Sequence, residues 1–136
     1  MSATVHPSAV LGPGTTLGEG CVVGPGVRTG SGCRMGHQVV IHADTVVGED
    51  VRIDDHATLG KLPMRAANSA TTREQPLPPL RLGDQCIVGT GAVLYRGASI
   101  DGKGLMADLC TIRENVTIGR GTIVGRGVTV ENFCTI

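Results

Sequence analysis

An aliphatic residue recurs at every sixth position over nearly the whole of this chain. The series runs Val5, Leu11, Leu17, Val23, Thr29, Met35, Ile41, Val47, Ile53 and Leu59. It breaks there and resumes as Leu82, Val88, Leu94, Ile100, Met106, Ile112, Ile118, Val124, Val130 and Ile136; nineteen of the twenty positions are aliphatic, Thr29 being the exception. A short fixed period of this kind belongs to repeat architectures, in which each unit buries its apolar side against its neighbours. Two residues before the aliphatic, seventeen of nineteen positions hold Ala, Cys, Thr or Val. Alternate side chains of a strand share a face, so both residues point inward and each hexad reads as a short strand plus a turn. Gly follows the aliphatic in eleven of nineteen hexads, which suits a tight turn with φ values that other residues resist.

The composition fits a repetitive β structure better than an ordinary globule. There are 21 Gly, one Phe, one Tyr and no Trp, yet 40% of the 136 residues are hydrophobic, so the core must be built from aliphatic, Ala and Cys side chains. The length suits one domain, expected to span 1–136, with coils over 5–60 and 82–136 and an inserted loop over 61–81. A formal net charge of zero argues against a nucleic-acid partner. No apolar run approaches the roughly 20 residues of a membrane-spanning helix, and Met1 to Pro7 lacks the character of a signal peptide. The expectation is a cytoplasmic protein with no membrane partner. Cys21, Cys33, Cys86, Cys110 and Cys134 all fall at the small inward position, which makes them packing residues rather than disulfide or metal ligands.

These hexads resemble the hexapeptide repeat of the left-handed parallel β-helix. The resemblance covers the chain apart from the loop and implies an all-β fold of triangular 18-residue coils. Most enzymes with this repeat are acyltransferases. The segments LPPLRLGDQCIVGTGAVLYRG and ADLCTIRENVTIGRGTIVGRGVTVEN resemble a bacterial subgroup, the nucleotide-sugar N-acyltransferases. That likeness implies an acyl group, acetyl in the first instance, passed from acyl-CoA to the amine of a nucleotide-linked amino sugar. Acyl-CoA is then a co-substrate, and no permanently bound cofactor or metal is expected. The attack is direct, with a base on the acceptor and donors on the oxyanion.

Candidate residues come from departures from the repeat. The segment KLPMRAANSATTREQPLPPLR carries Lys61, Arg65, Arg73 and Arg81 against the single acid Glu74, and its prolines keep it out of the strand ladder. Arg65, Arg73 and Arg81 are the candidates for the coenzyme's phosphates. Among the residues that replace the turn Gly, His6 and His42 share a face, while Tyr95, Arg113 and Glu131 form a column at the 18-residue spacing. If the loop returns the chain in phase after Leu59, these two sets share one edge. An ordinary solvated edge with an Arg113–Glu131 cross-strand pair is the alternative. His42 is the first candidate base, since imidazole titrates near neutral pH; His37 and His56, in turns on a neighbouring face, come next. Tyr95, Arg113, Glu114, Glu131 and Asn132 are candidates to bind and orient the acceptor. A third column, Ile87, Leu105 and Ile123, is apolar where polar residues are expected; with the family's habit of packing three β-helices together, it implies a homotrimer.

Two other readings have some support. The string GHQVVIH places His37 and His42 five residues apart and resembles the paired ligands of γ-class carbonic anhydrases, with His6 as a possible third. The Arg-x-Asp signature associated with that family is missing, because Arg28 and Arg34 lack the partner acid. A non-catalytic scaffold explains the core but leaves the basic loop and the polar column without a role. The last residue, Ile136, opens a new hexad, so the chain is expected to be truncated at its C-terminal end.

Overall fold

The computed structural model describes residues 2–64, 66–67 and 76–136. Arg65 and Arg73 lie outside the described residues. The chain forms a β-solenoid of about seven turns, with no helix among the described residues, as expected for a left-handed β-helix. Face A stacks β1 (Thr4–Val5), β3 (Val22–Val23), β6 (Val40–Ile41), β9 (Thr58–Lys61), β12 (Val93–Tyr95), β15 (Thr111–Ile112) and β18 (Thr129–Val130). Face B stacks β4 (Arg28–Thr29), β7 (Val46–Val47), β10 (Arg81–Leu82), β13 (Ser99–Ile100) and β16 (Thr117–Ile118). Face C stacks β2 (Thr16–Leu17), β5 (Arg34–Met35), β8 (Arg52–Ile53), β11 (Ile87–Val88), β14 (Leu105–Met106) and β17 (Ile123–Val124). All pairings are parallel, and from β2 onward consecutive strands lie on successive faces; in the first coil face B is represented by the isolated bridge of Val10 to Arg28.

The hexad aliphatics and the small residues two before them fill one continuous core. Cys21, Cys33, Cys86 and Cys110 are buried there and Cys134 is half-buried; all five thiols are free. The thiols of Cys21, Cys33 and Cys86 donate to carbonyls of the following coil, those of Gly36, Gly48 and Asp101, at 3.0, 3.1 and 3.2 Å.

The turn glycines have a different cause from the one the sequence suggested. Gly12, Gly18 and Gly48, directly after the aliphatic, are not at positive φ. A side chain there would strike the next coil; a Cβ on Gly48 would lie 2.7 Å from the Asp84 nitrogen. Close stacking of the coils excludes a Cβ. Positive φ falls two residues later, at Gly14 or Gly20 but equally at Gln38, Asp50, His56, Lys103 and Leu109.

Across the loop the coils stay in phase. Thr58 faces Val93 and Leu59 faces Leu94, so the His42 and Tyr95 columns belong to one face. The loop leaves from the corner between faces A and B. Its limits are tighter than expected: Lys61 is the last residue of β9, and Arg81 opens β10, paired with Val46 and Ser99. The apolar column lies side by side on face C, Ile87 against Leu105 and Leu105 against Ile123, with Ile123 72% exposed.

Candidate functional site

The edge between faces A and B gathers most of the candidates. His42, Arg113 and Glu131 directly follow β6, β15 and β18, and Gly60 and Tyr95 hold the same place in the repeat within β9 and at the end of β12, one residue per coil. His42 is exposed, and its backbone is fixed from both sides: its amide donates to the Leu59 carbonyl at 2.8 Å, and its carbonyl accepts from the buried Thr45 hydroxyl at 2.9 Å.

Tyr95 departs from expectation. Its position should point to solvent, yet it is only 7% exposed, because two cations cover it. Lys61 Nζ lies 5.2 Å from the ring centroid, reaching from the coil before, and Arg113 Cζ lies 5.1 Å away, from the coil after. Each such contact is favourable because the ring face carries negative potential. Arg113 is itself held by acids. Its Nε donates to Glu114 Oε1 at 2.9 Å, and Nη1 lies 3.6 Å from Glu131 Oε2. The Glu114 hydrogen bond, more than any other influence, holds the Arg113 guanidinium protonated beyond its usual range. Asn132, exposed, follows Glu131 in the same corner. The structure thus assembles Tyr95, Arg113, Glu114 and Glu131 into one connected group, with His42 on the same edge.

His37 and His56 stand elsewhere, at the corner between faces C and A, and both are exposed. His37 serves the corner itself. Its Nδ1 accepts from the Glu19 amide at 2.9 Å, and its own amide donates to Asp55 Oδ1 at 2.7 Å. The same arrangement recurs where the Thr90 amide meets Asp108 and the Glu49 amide meets Asp84, so a side chain of the following coil caps each of these four corner amides. His56 occupies a positive-φ turn position at +61°. His37 and His42 therefore flank β6 at opposite edges, and among the described residues no three His, Cys, Asp or Glu side chains are grouped to hold a metal ion.

One residue of this edge, Arg96, escaped the sequence reading. In each regular corner a carbonyl accepts from an amide of the following coil, as Pro25 does from Asp44 and Ser31 from Asp50. The counterpart for Ala43 would be the amide of Leu62, but the chain has left the coil there. Arg96 supplies the missing donor: Nη1 bonds the Ala43 carbonyl at 3.1 Å, and Nη2 lies 3.6 Å from Asp44 Oδ2. Its Nε donates to the Leu77 carbonyl at 3.0 Å, which ties the returning arm of the loop to the same corner. Leu80, at the end of that arm, is fully buried. Arg81, the described member of the expected phosphate-binding set, is exposed on face B.

No protein-family model matches the sequence, and no curated protein does. Solved structures do. A variant of GDP-perosamine N-acetyltransferase from Caulobacter crescentus, in complex with CoA and GDP-perosamine, matches with a TM-score of 0.61 and 27% identity over 95% of this chain. Its structural neighbours are hexapeptide-repeat acyltransferases. The acetyltransferase domain of PglB from Neisseria gonorrhoeae, 21% identical with a TM-score of 0.59 over 94% of this chain, shares the fold. In each case the chain spans half the length of the neighbour, 50% of that polypeptide. No described helix is long and apolar enough to cross a membrane.

Proposed function

We propose that this chain is the β-helical part of a hexapeptide-repeat acyltransferase that moves an acyl group, acetyl in the first instance, from acyl-CoA to the amine of a nucleotide-linked amino sugar. The observation that carries the reading is the polar edge between faces A and B. There His42, Tyr95, Arg113, Glu114 and Glu131 stand on rigid strand ends in a chain whose fold matches an N-acetyltransferase crystallised with CoA and GDP-perosamine. An amine acceptor must lose a proton as it attacks the thioester carbonyl, and the exposed imidazole of His42 is the group proposed to take it. Glu114, Glu131 and Asn132 supply acceptors for the sugar's hydroxyls and amine. Arg113 stays bound to its acids and shapes that surface, and Arg81, with Arg65 and Arg73 of the loop, meets phosphate.

The working unit is proposed to be a cytoplasmic homotrimer. The apolar column on face C, exposed at Ile87 and Ile123, supports the association, and five free thiols suit a reducing compartment. Sedimentation at micromolar concentration reads the copy number. The function is tested by following thiol release from acetyl-CoA against a panel of nucleotide-linked amino sugars, with GDP-perosamine among them. Wild-type turnover and a loss of at least 100-fold in His42→Ala are expected. Equal turnover in wild type and His42→Ala removes His42 as the base, and no turnover with any amino sugar refutes the assignment.

A further inference from the structure

The β9–β12 pairing changes register at its end. Thr58 faces Val93 and Leu59 faces Leu94, but Tyr95 then faces Lys61 rather than Gly60. The skipped Gly60 is buried at φ +81°, and a Cβ there would collide with the Thr45 hydroxyl and lie 3.4 Å from His42 Cβ. Extra residues of this kind re-aim the side chain that follows them. Here the side chain re-aimed is Lys61, which is carried across the Tyr95 ring. The Lys61 carbonyl accepts from the Arg96 amide at 2.9 Å, so the position is fixed on the strand although the loop begins directly after it.

The charges around this point are unequally matched. Arg113 has Glu114 and Glu131, and Arg96 has Asp44 and two carbonyls. Among the described residues Lys61 has no carboxylate partner, and its ammonium lies over the ring of Tyr95. An aromatic face orients an ammonium without consuming its three N–H donors, and lysine meets phosphate as a point charge. We propose that Lys61 is a phosphate anchor: its ammonium, aimed by the bulge at Gly60 and steadied on Tyr95, binds a phosphate of the coenzyme or of the nucleotide-linked acceptor. The proposal rests on the acyl-transfer reading, and it places the anion one coil from His42.

Calorimetric titration of the wild-type chain and of Lys61→Gln with inorganic pyrophosphate, coenzyme A and uridine diphosphate tests it, with pantetheine as the phosphate-free control. A lost charge-assisted contact should weaken pyrophosphate and one of the two larger ligands by about 10- to 100-fold, leave pantetheine unchanged, and be restored by Lys61→Arg. The larger ligand that weakens identifies the source of the phosphate. An unchanged unfolding midpoint in Lys61→Gln shows that the fold is intact. If wild type binds pyrophosphate through Lys61 but neither coenzyme A nor uridine diphosphate, the anchor stands and the acyl-transfer reading falls. The anchor is overturned if Lys61→Gln binds all three phosphate ligands as wild type does, or if wild type binds none of them.

Discussion

Gly60→Ala should destabilise this protein, and its cost can be worked from two separate terms. The first is conformational: at φ +81° an L side chain meets its own backbone, at about 1–2 kcal/mol. The second is steric. The new methyl collides with the Thr45 hydroxyl, which is fully buried and donates to the His42 carbonyl at 2.9 Å, and displacing that bond costs about 1–3 kcal/mol. The sum is about 2–5 kcal/mol, or roughly 6–15 °C in Tm for a chain of this size. Gly121→Ala supplies the control. Its φ is +72° with nothing within 4 Å of the added methyl, so only the first term applies. Thermal and urea unfolding of both variants, followed by circular dichroism, reads the difference. Thr45→Ala should partly rescue Gly60→Ala, with a coupling of about 1 kcal/mol or more, because the collision partner is gone. If Gly60→Ala costs no more than Gly121→Ala, the close approach of Gly60 to the His42 coil is not a constraint and the structural basis of the bulge is wrong.

Other consequences can be measured directly. Burial pushes the Cys110 thiol from its ordinary 9.0 up to about 11, so the folded chain holds that proton more tightly than the unfolded one. Its contribution to stability is complete below pH 9 and is lost as pH rises from 9 towards 11; at pH 8 Cys110 should ignore a thiol reagent until the chain is unfolded. Arg96→Met leaves the Ala43 and Leu77 carbonyls without their charged donor, so about 1.5–3 kcal/mol of stability should be lost, with faster amide exchange in the arm 76–80 read by mass spectrometry. Glu131→Gln should cost less than about 1 kcal/mol and lose even that in high salt, since the pair with Arg113 is 3.6 Å long and Glu131 is 65% exposed; a larger cost would mean that Glu131 has a further partner.

The fold was legible because its inward positions, a few threonines such as Thr29 and Thr45 apart, admit apolar side chains. A side chain facing the axis of a narrow coil has no water to meet, so Val23, Ile41, Leu59, Leu94 and Ile112 repeat without exception along face A, and Cys110 or Ala92 stands two residues before as a small filler. The corners were less legible, because two unlike constraints both select glycine. Gly48 is there because the next coil leaves no room for a Cβ, whereas Gly14 is there for its dihedral angles. Sequence pattern alone merges them. The left-handed positions also accept His56, Leu109 and Phe133, so a histidine in such a turn marks backbone geometry as readily as chemistry.

Of the candidate site, the 18-residue spacing recovered what depends only on the coil: Tyr95, Arg113 and Glu131 in one column, with His42 two coils earlier. What it missed depends on the coil being interrupted. Arg96 has a role only because the chain leaves at Leu62 and orphans the Ala43 carbonyl, and Lys61 reaches Tyr95 only because Gly60 is skipped in the pairing. Neither event has a period. Both occur at the corner where the polar column stands, and the same guanidinium that closes the broken coil holds the returning arm of the loop at Leu77. Replacing residues 62–80 by an ordinary corner would give Ala43 its amide donor back and displace Arg96. The interruption, the bulge and the polar edge are therefore one construction, and the loop cannot be removed as an appendage without altering the surface on which Lys61, Tyr95 and Arg113 are arranged.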